Sequence, residues 1–213
     1  SQYFSDIIVN APVFFNDNNL TFTSNSYYAS ADGCIGNSFY DILSNYIDAQ
    51  SRDNDRVLHV IAAGNDGALT CSVYPTSFAT IKSGWQCAKD VLTVGAIDNA
   101  TNIIASLSSR GPVEDGRLKP EIVAGGANVI STFPFNGYGA SSGTSMAAPA
   151  VTGSLALLTQ RYKQLNSNAN SPAYLLKALL CNSAIDKGNP GPDFTYGFGN
   201  LNTRKAVEDL EAN

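Results

Sequence analysis

Ser145 is the candidate nucleophile of this sequence. It lies in the segment Gly-Thr-Ser-Met-Ala-Ala-Pro at residues 143–149, directly before a long apolar stretch that predicts a helix. Gly143 permits a tight turn, and the N–H groups at the start of a helix favour a developing negative charge. A lone serine at such a position also serves as an ordinary helix cap, so the segment by itself leaves both interpretations open. The Gly-x-Ser-x-Gly pattern of α/β-hydrolases is not met, because Ala147 stands where its second glycine would be.

Asn65 is the second side chain whose position suggests chemistry. It follows the apolar run at residues 57–63, within the sequence Gly-Asn-Asp-Gly. Open α/β sheets usually place their sites at the carboxyl ends of the strands, where an Asn amide can donate a hydrogen bond to an oxyanion. An Asn-Asp-Gly sequence is equally typical of a simple turn. The motif alone does not separate the two interpretations.

Composition indicates one globular unit and excludes two classes of partner. The chain has 213 residues, of which 44% are hydrophobic and 15% charged, with a formal net charge of −5. This is enough apolar material for one sizeable core. Lys and Arg are scattered singly, so no basic surface for nucleic acid is expected, and no apolar run is long enough to span a bilayer. We therefore expect neither nucleic acid nor a membrane as a partner.

The elements that must position Ser145 and Asn65 are predicted from short apolar runs and helical spacing. Four runs bounded by Gly, Asn, Asp or Pro indicate buried strands, and three segments show helical periodicity. The strands are predicted at 20–24, 57–63, 91–97 and 121–124, and the helices at 37–49, 146–162 and 172–180. This alternation favours an α/β fold with a mainly parallel sheet flanked by helices. The helix after Ser145 has almost no polar face before Gln160, which predicts that it is buried.

Four widely spaced cysteines predict disulfides rather than a metal site. Cys34, Cys71, Cys87 and Cys181 form no Cys-x-x-Cys pair, and His59 is the only histidine of the chain. A zinc cluster is therefore not expected. The even number and the acidic, Ser- and Asn-rich composition suit an exported protein, although buried free thiols would leave the same sequence. We predict the pairs Cys34–Cys71 and Cys87–Cys181 among the three possible pairings.

Taken together, six segments carry a family resemblance. They read AAGN, VLTVGA, SSRGP, KPEIVAGGANVIST, GTSMAAP and YGFGNLN in chain order, at 62–65, 91–96, 108–112, 119–132, 143–149 and 196–202. From Leu58 to Val207 the chain resembles the subtilisin-like serine proteases (subtilases, peptidase S8). The resemblance implies that Ser145 is the acylated nucleophile. It also implies that the Asn65 side chain and the Ser145 backbone N–H donate to the tetrahedral oxyanion.

The same resemblance implies where a substrate binds. The segment from Asn25 through Ser26 and Tyr27 to Tyr28 is similar to the family's strand that pairs with an extended polypeptide. Ala62, Ala63 and Gly64 are similar to the opposite wall of the primary pocket, and their small size predicts a pocket open to a large apolar side chain. The two tyrosines can instead be ordinary core or rim aromatics.

The family's catalytic Asp and His have no counterpart motif in this sequence. The only histidine, His59, lies six residues before Asn65 inside a predicted strand. That separation is about 20 Å at roughly 3.3 Å per residue, too far for the base of Ser145, so a structural role is predicted. We therefore expect residues 1–213 to be a partial peptidase domain, incomplete at its N-terminal side and inactive alone.

The resulting prediction is a serine endopeptidase in the complete parent protein, secreted or otherwise outside the cytoplasm. The alternative is a pseudoprotease-like domain that binds peptides or proteins. Expected partners are an extended polypeptide substrate and either the domain's own N-terminal half or a second copy. The resemblance allows structural calcium, but no dense Asp/Glu cluster permits a site to be assigned, and no other cofactor is expected.

Overall fold

A computed structural model describes residues 11–212 of the chain, apart from residues 12, 72 and 73. Its centre is a parallel sheet whose strands lie side by side in chain order. The strands are β1 (Phe22–Asn25), β2 (Leu58–Ala62), β3 (Leu92–Asp98) and β4 (Ile122–Ala127). All four overlap predicted strands, and the predicted α/β class with a mainly parallel sheet is confirmed. The prediction of buried strands is wrong for β1, which is only partly buried.

Four α-helices of nine or more residues and a hairpin accompany the sheet, and residues 13–17 and two 3-10 helices, Cys34–Gly36 and Trp85–Cys87, are also helical. The helices are α1 (Ile42–Asp53), α2 (Thr144–Leu165), α3 (Ala173–Asn182) and α4 (Thr203–Glu211). An antiparallel hairpin of β5 (Val129–Phe133) and β6 (Gly137–Ser141) connects β4 to α2. The first helix begins later than predicted because Asp41 caps it, accepting hydrogen bonds from the backbone N–H groups of Leu43 and Ser44. The hairpin and α4 were not predicted from the sequence.

The main core lies between the sheet and helices α2, α3 and α4. Strands β2 and β3 are buried along almost their whole length, which explains their continuous apolar sequences. One stripe of α2 packs on the sheet, with Ala147, Val151, Leu155 and Leu158 fully buried. The prediction that α2 is buried all round is wrong for the described residues. Leu157 lies on the opposite face, away from the sheet, and is 55% exposed.

The cysteine pairing is half as predicted. Cys34 and Cys71 form a disulfide with their Cα atoms 5.3 Å apart. The predicted pair Cys87–Cys181 is wrong, since both thiols are free. Their surroundings differ: Cys87 is buried in a small apolar cluster and donates to the carbonyl of Lys82, whereas Cys181 lies on α3 against the main core. A disulfide requires adjacent Cβ atoms, and these two residues belong to separate clusters.

Candidate active site

The start of α2 is held against the carboxyl end of β4. The Gly143 N–H donates to the carbonyl oxygen of Gly126 at 2.8 Å. A Cβ atom at Gly126 would lie 2.7 Å from the Gly143 carbonyl oxygen, closer than any real Cβ contact, so glycine is required there. Ser145 is thereby placed as the second residue of α2, half-buried at the sheet edge. In this first turn the Met146 N–H donates to the Gly143 carbonyl oxygen at 3.0 Å.

Asn65 is oriented by the residue that precedes Ser145. The backbone N–H of Thr144 donates to Asn65 Oδ1 at 2.9 Å, and the Thr144 hydroxyl lies 3.1 Å from the same oxygen. Because the carbonyl side of the amide is engaged, Nδ2 is the part of Asn65 available to donate outward. The Asn65 residue is exposed, while Thr144 is completely buried.

Thr144 also ties the end of β2 to α2. Its hydroxyl lies 3.2 Å from both the nitrogen and the carbonyl oxygen of Gly64, accepting from the N–H. Gly64 has φ +114°, a left-handed conformation that favours glycine. Sequence reasoning missed this role of Thr144, because its partners Gly64 and Asn65 are distant in sequence. The strand end, Asn65 and the candidate nucleophile are thus fixed by one buried hydroxyl.

This arrangement can stabilise an anion next to Ser145. The Thr144 N–H holds the Asn65 amide at the start of α2, where the positive end of the helix dipole lies. Preorganised donors of this kind are most effective where charge develops during a reaction. The chemistry that fits is the attack of the Ser145 hydroxyl on a carbonyl group.

The segment at residues 25–28 lies beside the nucleophile, at the end of β1. Asn25 is anchored to β2 by a 3.0 Å hydrogen bond from its side-chain nitrogen to the Val60 carbonyl. The Ser26 hydroxyl donates to the carbonyl oxygen of Ser145 at 3.0 Å. The structure therefore brings this predicted substrate segment together with Ser145.

The two tyrosines of this segment are partly exposed. The Tyr27 hydroxyl donates to Asn25 Oδ1 at 2.9 Å, its ring packs edge-on against Trp85, and burial raises the pKa of its phenol. The Tyr28 hydroxyl points toward Asp32. Both rings are therefore rim aromatics next to the site rather than members of the main core.

The predicted opposite wall lies at the end of β2. Ala62, Ala63 and Gly64 follow one another there and are all buried. The side chain of Lys82 lies against Gly64, where a Cβ atom would come 2.7 Å from Lys82 Cγ. The Lys82 side chain therefore occupies the space beside Gly64.

His59 is a structural residue in the described fold. It lies in β2, paired with Thr23 of β1, and its Nδ1 is 2.9 Å from the Thr23 hydroxyl oxygen. The ring also contacts the ring of Phe15 at 5.7 Å between centroids. The residue is 2% exposed, and burial lowers its pKa to about 4. His59 lies near the start of β2, whereas Thr144, directly before Ser145, is bonded to Gly64 beyond the end of that strand. His59 and Ser145 are therefore at different ends of β2.

No metal ligand cluster is assigned. Among the residues that the structure describes, no group of three or more His, Cys, Asp or Glu side chains is arranged to hold a metal ion. Within the same residues, no helix is both long and apolar enough to cross a bilayer.

Comparisons with known proteins agree with this geometry. Residues 13–199 match the profile of the subtilase family (peptidase S8). Subtilisin DY of Bacillus licheniformis is 33% identical over 71% of this chain and 47% of its own length. Serine protease AprX of Bacillus subtilis (strain 168) is 34% identical over 69% of this chain and 34% of its own length. The chain thus spans half or less of these two relatives.

A solved structure shows the same architecture. The prenylagaramide maturation protease PagA superposes with a TM-score of 0.74 and 25% identity, covering 99% of this chain and 69% of that protein. The parallel sheet, the helix α2 with Ser145 in its first turn and the family match lead to one assignment. The chain belongs to the subtilase family and has the fold of a subtilisin-like protease domain.

Proposed function

We propose that the chain is the C-terminal part of the catalytic domain of a serine endopeptidase. The observation that carries the proposal is the buried Thr144, which holds Asn65 in place next to Ser145 at the start of α2. A domain that only bound peptides would have no use for a hydroxyl and an amide arranged around one anion position. The family membership supports serine-type peptidase activity in general.

In the proposed reaction the Ser145 hydroxyl attacks the carbonyl carbon of a peptide bond. The carbonyl oxygen becomes an oxyanion, which accepts hydrogen bonds from Asn65 Nδ2 and the Ser145 backbone N–H. Collapse of this intermediate releases the amine product and leaves an acyl-enzyme at Ser145, which water then hydrolyses. The helix dipole of α2 favours the negative charge in both steps.

We propose that this chain alone is inactive and that the base comes from elsewhere in the parent protein. A serine hydroxyl needs an adjacent base near neutral pH. His59 does not suit that role, because it is buried in β2 and bonded to Thr23, and because its pKa of about 4 makes it a weak proton acceptor. The complete domain then joins these residues to a histidine and an aspartate that this chain does not supply.

The proposed substrate is an extended polypeptide, and the proposed location is outside the cytoplasm. The segment at residues 25–28 continues the edge strand β1 past Ser145, so a substrate can add beside it through backbone hydrogen bonds. The Cys34–Cys71 disulfide favours an exported protein, since such bonds persist in oxidising compartments.

The test is peptide hydrolysis by the complete parent protein and three variants. Ser145→Ala should abolish turnover. Asn65→Ala should lower kcat by about 10²- to 10³-fold with a smaller effect on KM, a range measured for one oxyanion donor in subtilisin itself. Ser142→Ala, in the same turn and without a proposed role, should retain turnover. Undiminished hydrolysis by Ser145→Ala, or peptide binding without any hydrolysis by the wild type, would overturn the proposal.

A further inference from the structure

Lys82 is a buried lysine beside the candidate site that the proposed reaction does not use. Its side chain is 1% exposed, and Nζ lies 2.5 Å from a carboxylate oxygen of Asp66. The same ammonium donates to the carbonyl of Ala31 at 3.3 Å and lies 4.6 Å from the ring centroid of Tyr28. A charge this deeply buried is stable only with such partners. The lysine is thus held in one position.

The side chain of Lys82 crosses from one wall of the substrate site to the other. Its Cγ is packed against Gly64, and its ammonium lies over Tyr28. Gly64 is joined to the start of α2 through Thr144. The segment that contains Tyr28 is joined to the same place by the hydrogen bond of Ser26 to the Ser145 carbonyl. The space between the two walls next to the nucleophile therefore already contains a side chain.

We propose that Lys82 fills the primary specificity pocket, so that the enzyme cleaves after small residues such as alanine. This inference rests on the proposed peptidase function and names the substrate class of that same site. It replaces the sequence-based prediction of a pocket open to a large apolar side chain, because the space that the missing Cβ of Gly64 leaves is taken by Lys82.

Exclusion by volume, rather than attraction of an acidic side chain, follows from the surroundings of the lysine. The ammonium is already paired with Asp66 and presents almost no surface to a ligand. A large substrate side chain would have to displace Lys82 and leave the Asp66 carboxylate without its cation, which is strongly unfavourable. Peptides with an acidic or a large side chain at the residue before the cleaved bond should therefore be poor substrates.

The experiment measures how fast the complete parent protein hydrolyses peptide anilides. These substrates differ only in the residue before the cleaved bond. The residues are Ala, Phe and Glu. For the wild type, kcat/KM should be highest with Ala. Lys82→Ala should raise the Phe-to-Ala ratio of kcat/KM by about tenfold or more, since even one methylene in a pocket changes this ratio by about 10- to 200-fold. Lys82→Met removes the charge but keeps the volume, and its ratio should stay low.

Two further variants keep the result interpretable. Lys119→Ala removes an equally buried lysine, whose Nζ lies 2.6 Å from Glu121 Oε1. Lys119 precedes the start of β4, at the end of the sheet opposite to Ser145. Its ratio should match the wild type. If Lys82→Ala does not fold because Asp66 is left unpaired, Lys82→Ala with Asp66→Asn removes both charges. Active enzyme is counted in every sample by labelling Ser145 with a serine-directed phosphonate.

The outcomes separate the two proposals. A wild type that neither takes up the phosphonate nor hydrolyses any anilide would refute the peptidase function itself. A labelled, active wild type that prefers Phe or Glu would refute the role of Lys82 alone. So would a Phe-to-Ala ratio that is the same in Lys82→Ala, or in the double variant, as in the wild type.

Discussion

Thr144 shows how a residue without reactive chemistry can position one that has it. Its N–H and hydroxyl both face Asn65 Oδ1, and the hydroxyl also accepts from Gly64. Sequence motifs pointed to Asn65 and Ser145 because each lies at a recognisable strand end or helix start. They could not predict the hydrogen bonds of Thr144, because the two segments are far apart in sequence and meet only in the fold.

Thr144→Val tests this positioning role in the complete parent protein. Valine keeps the shape and the backbone N–H but removes the hydroxyl. We expect kcat to fall about 5- to 10-fold with little change in KM, which corresponds to the loss of roughly 1 kcal/mol from one hydrogen bond. Thr144→Ser restores the hydroxyl and should recover most of the loss. An unchanged kcat in Thr144→Val, or a change confined to KM, would show that the hydroxyl does not orient Asn65.

His59 predicts a specific dependence of stability on pH. Burial lowers its folded-state pKa to about 4, whereas the unfolded value is 6.5. As the pH falls below 6.5 the unfolded chain takes up a proton that the folded chain does not, so stability is lost between pH 6.5 and pH 4. The loss from this group is about 3 kcal/mol at pH 4 relative to pH 7.

Urea denaturation of the wild type and His59→Asn at pH 7 and pH 4 measures this loss. Carboxylates also titrate in this range, so the comparison with the variant isolates the histidine. The free energy of unfolding should decrease more steeply in the wild type than in His59→Asn. Parallel pH profiles would show that His59 is not buried in its neutral form.

At the scale of the elements, apolar runs and helical spacing predicted most elements, including the partly buried β1, but missed two whose side chains are mostly exposed. The four sheet strands were predicted because they are short apolar runs with clear boundaries. The hairpin β5–β6 was missed because its apolar side chains face outward. Ile130 is 74% exposed and Tyr138 is 77% exposed, so no burial pattern marks them. Helix α4 was missed because only Ala206 and Leu210 of its nine residues are buried.

The predicted Cys87–Cys181 disulfide was wrong because the sequence does not show how far apart the two elements that carry these cysteines lie. The unreduced, denatured protein should contain two alkylatable thiols, at Cys87 and Cys181, and one intact disulfide. In the native protein both thiols should react slowly, since burial raises their pKa to about 12. Mass spectrometry after alkylation with and without denaturant measures both. Four thiols or none in the denatured sample would contradict the pairing.

At the scale of the whole molecule, the isolated 213-residue chain is expected to self-associate. Among the strands that the structure describes, β1 lies at the edge of the sheet, and the residues of α2 that face away from the sheet include the exposed Leu157. Unpaired strand edges and apolar surface recruit partners. Sedimentation of the isolated chain should show dimers or larger species at high concentration, and Leu157→Glu should weaken them. A monodisperse monomer over the whole concentration range would contradict this expectation.

The central claim is that Ser145 is the acylated nucleophile of a peptidase, and covalent labelling of the complete parent protein tests it most directly. A serine-directed phosphonate should form one adduct, which peptide mapping by mass spectrometry should locate at Ser145. The adduct should be absent in Ser145→Ala and greatly slowed in Asn65→Ala, because the phosphonate oxygen occupies the oxyanion position. An adduct at another residue, or peptide hydrolysis that persists in Ser145→Ala, would contradict the account.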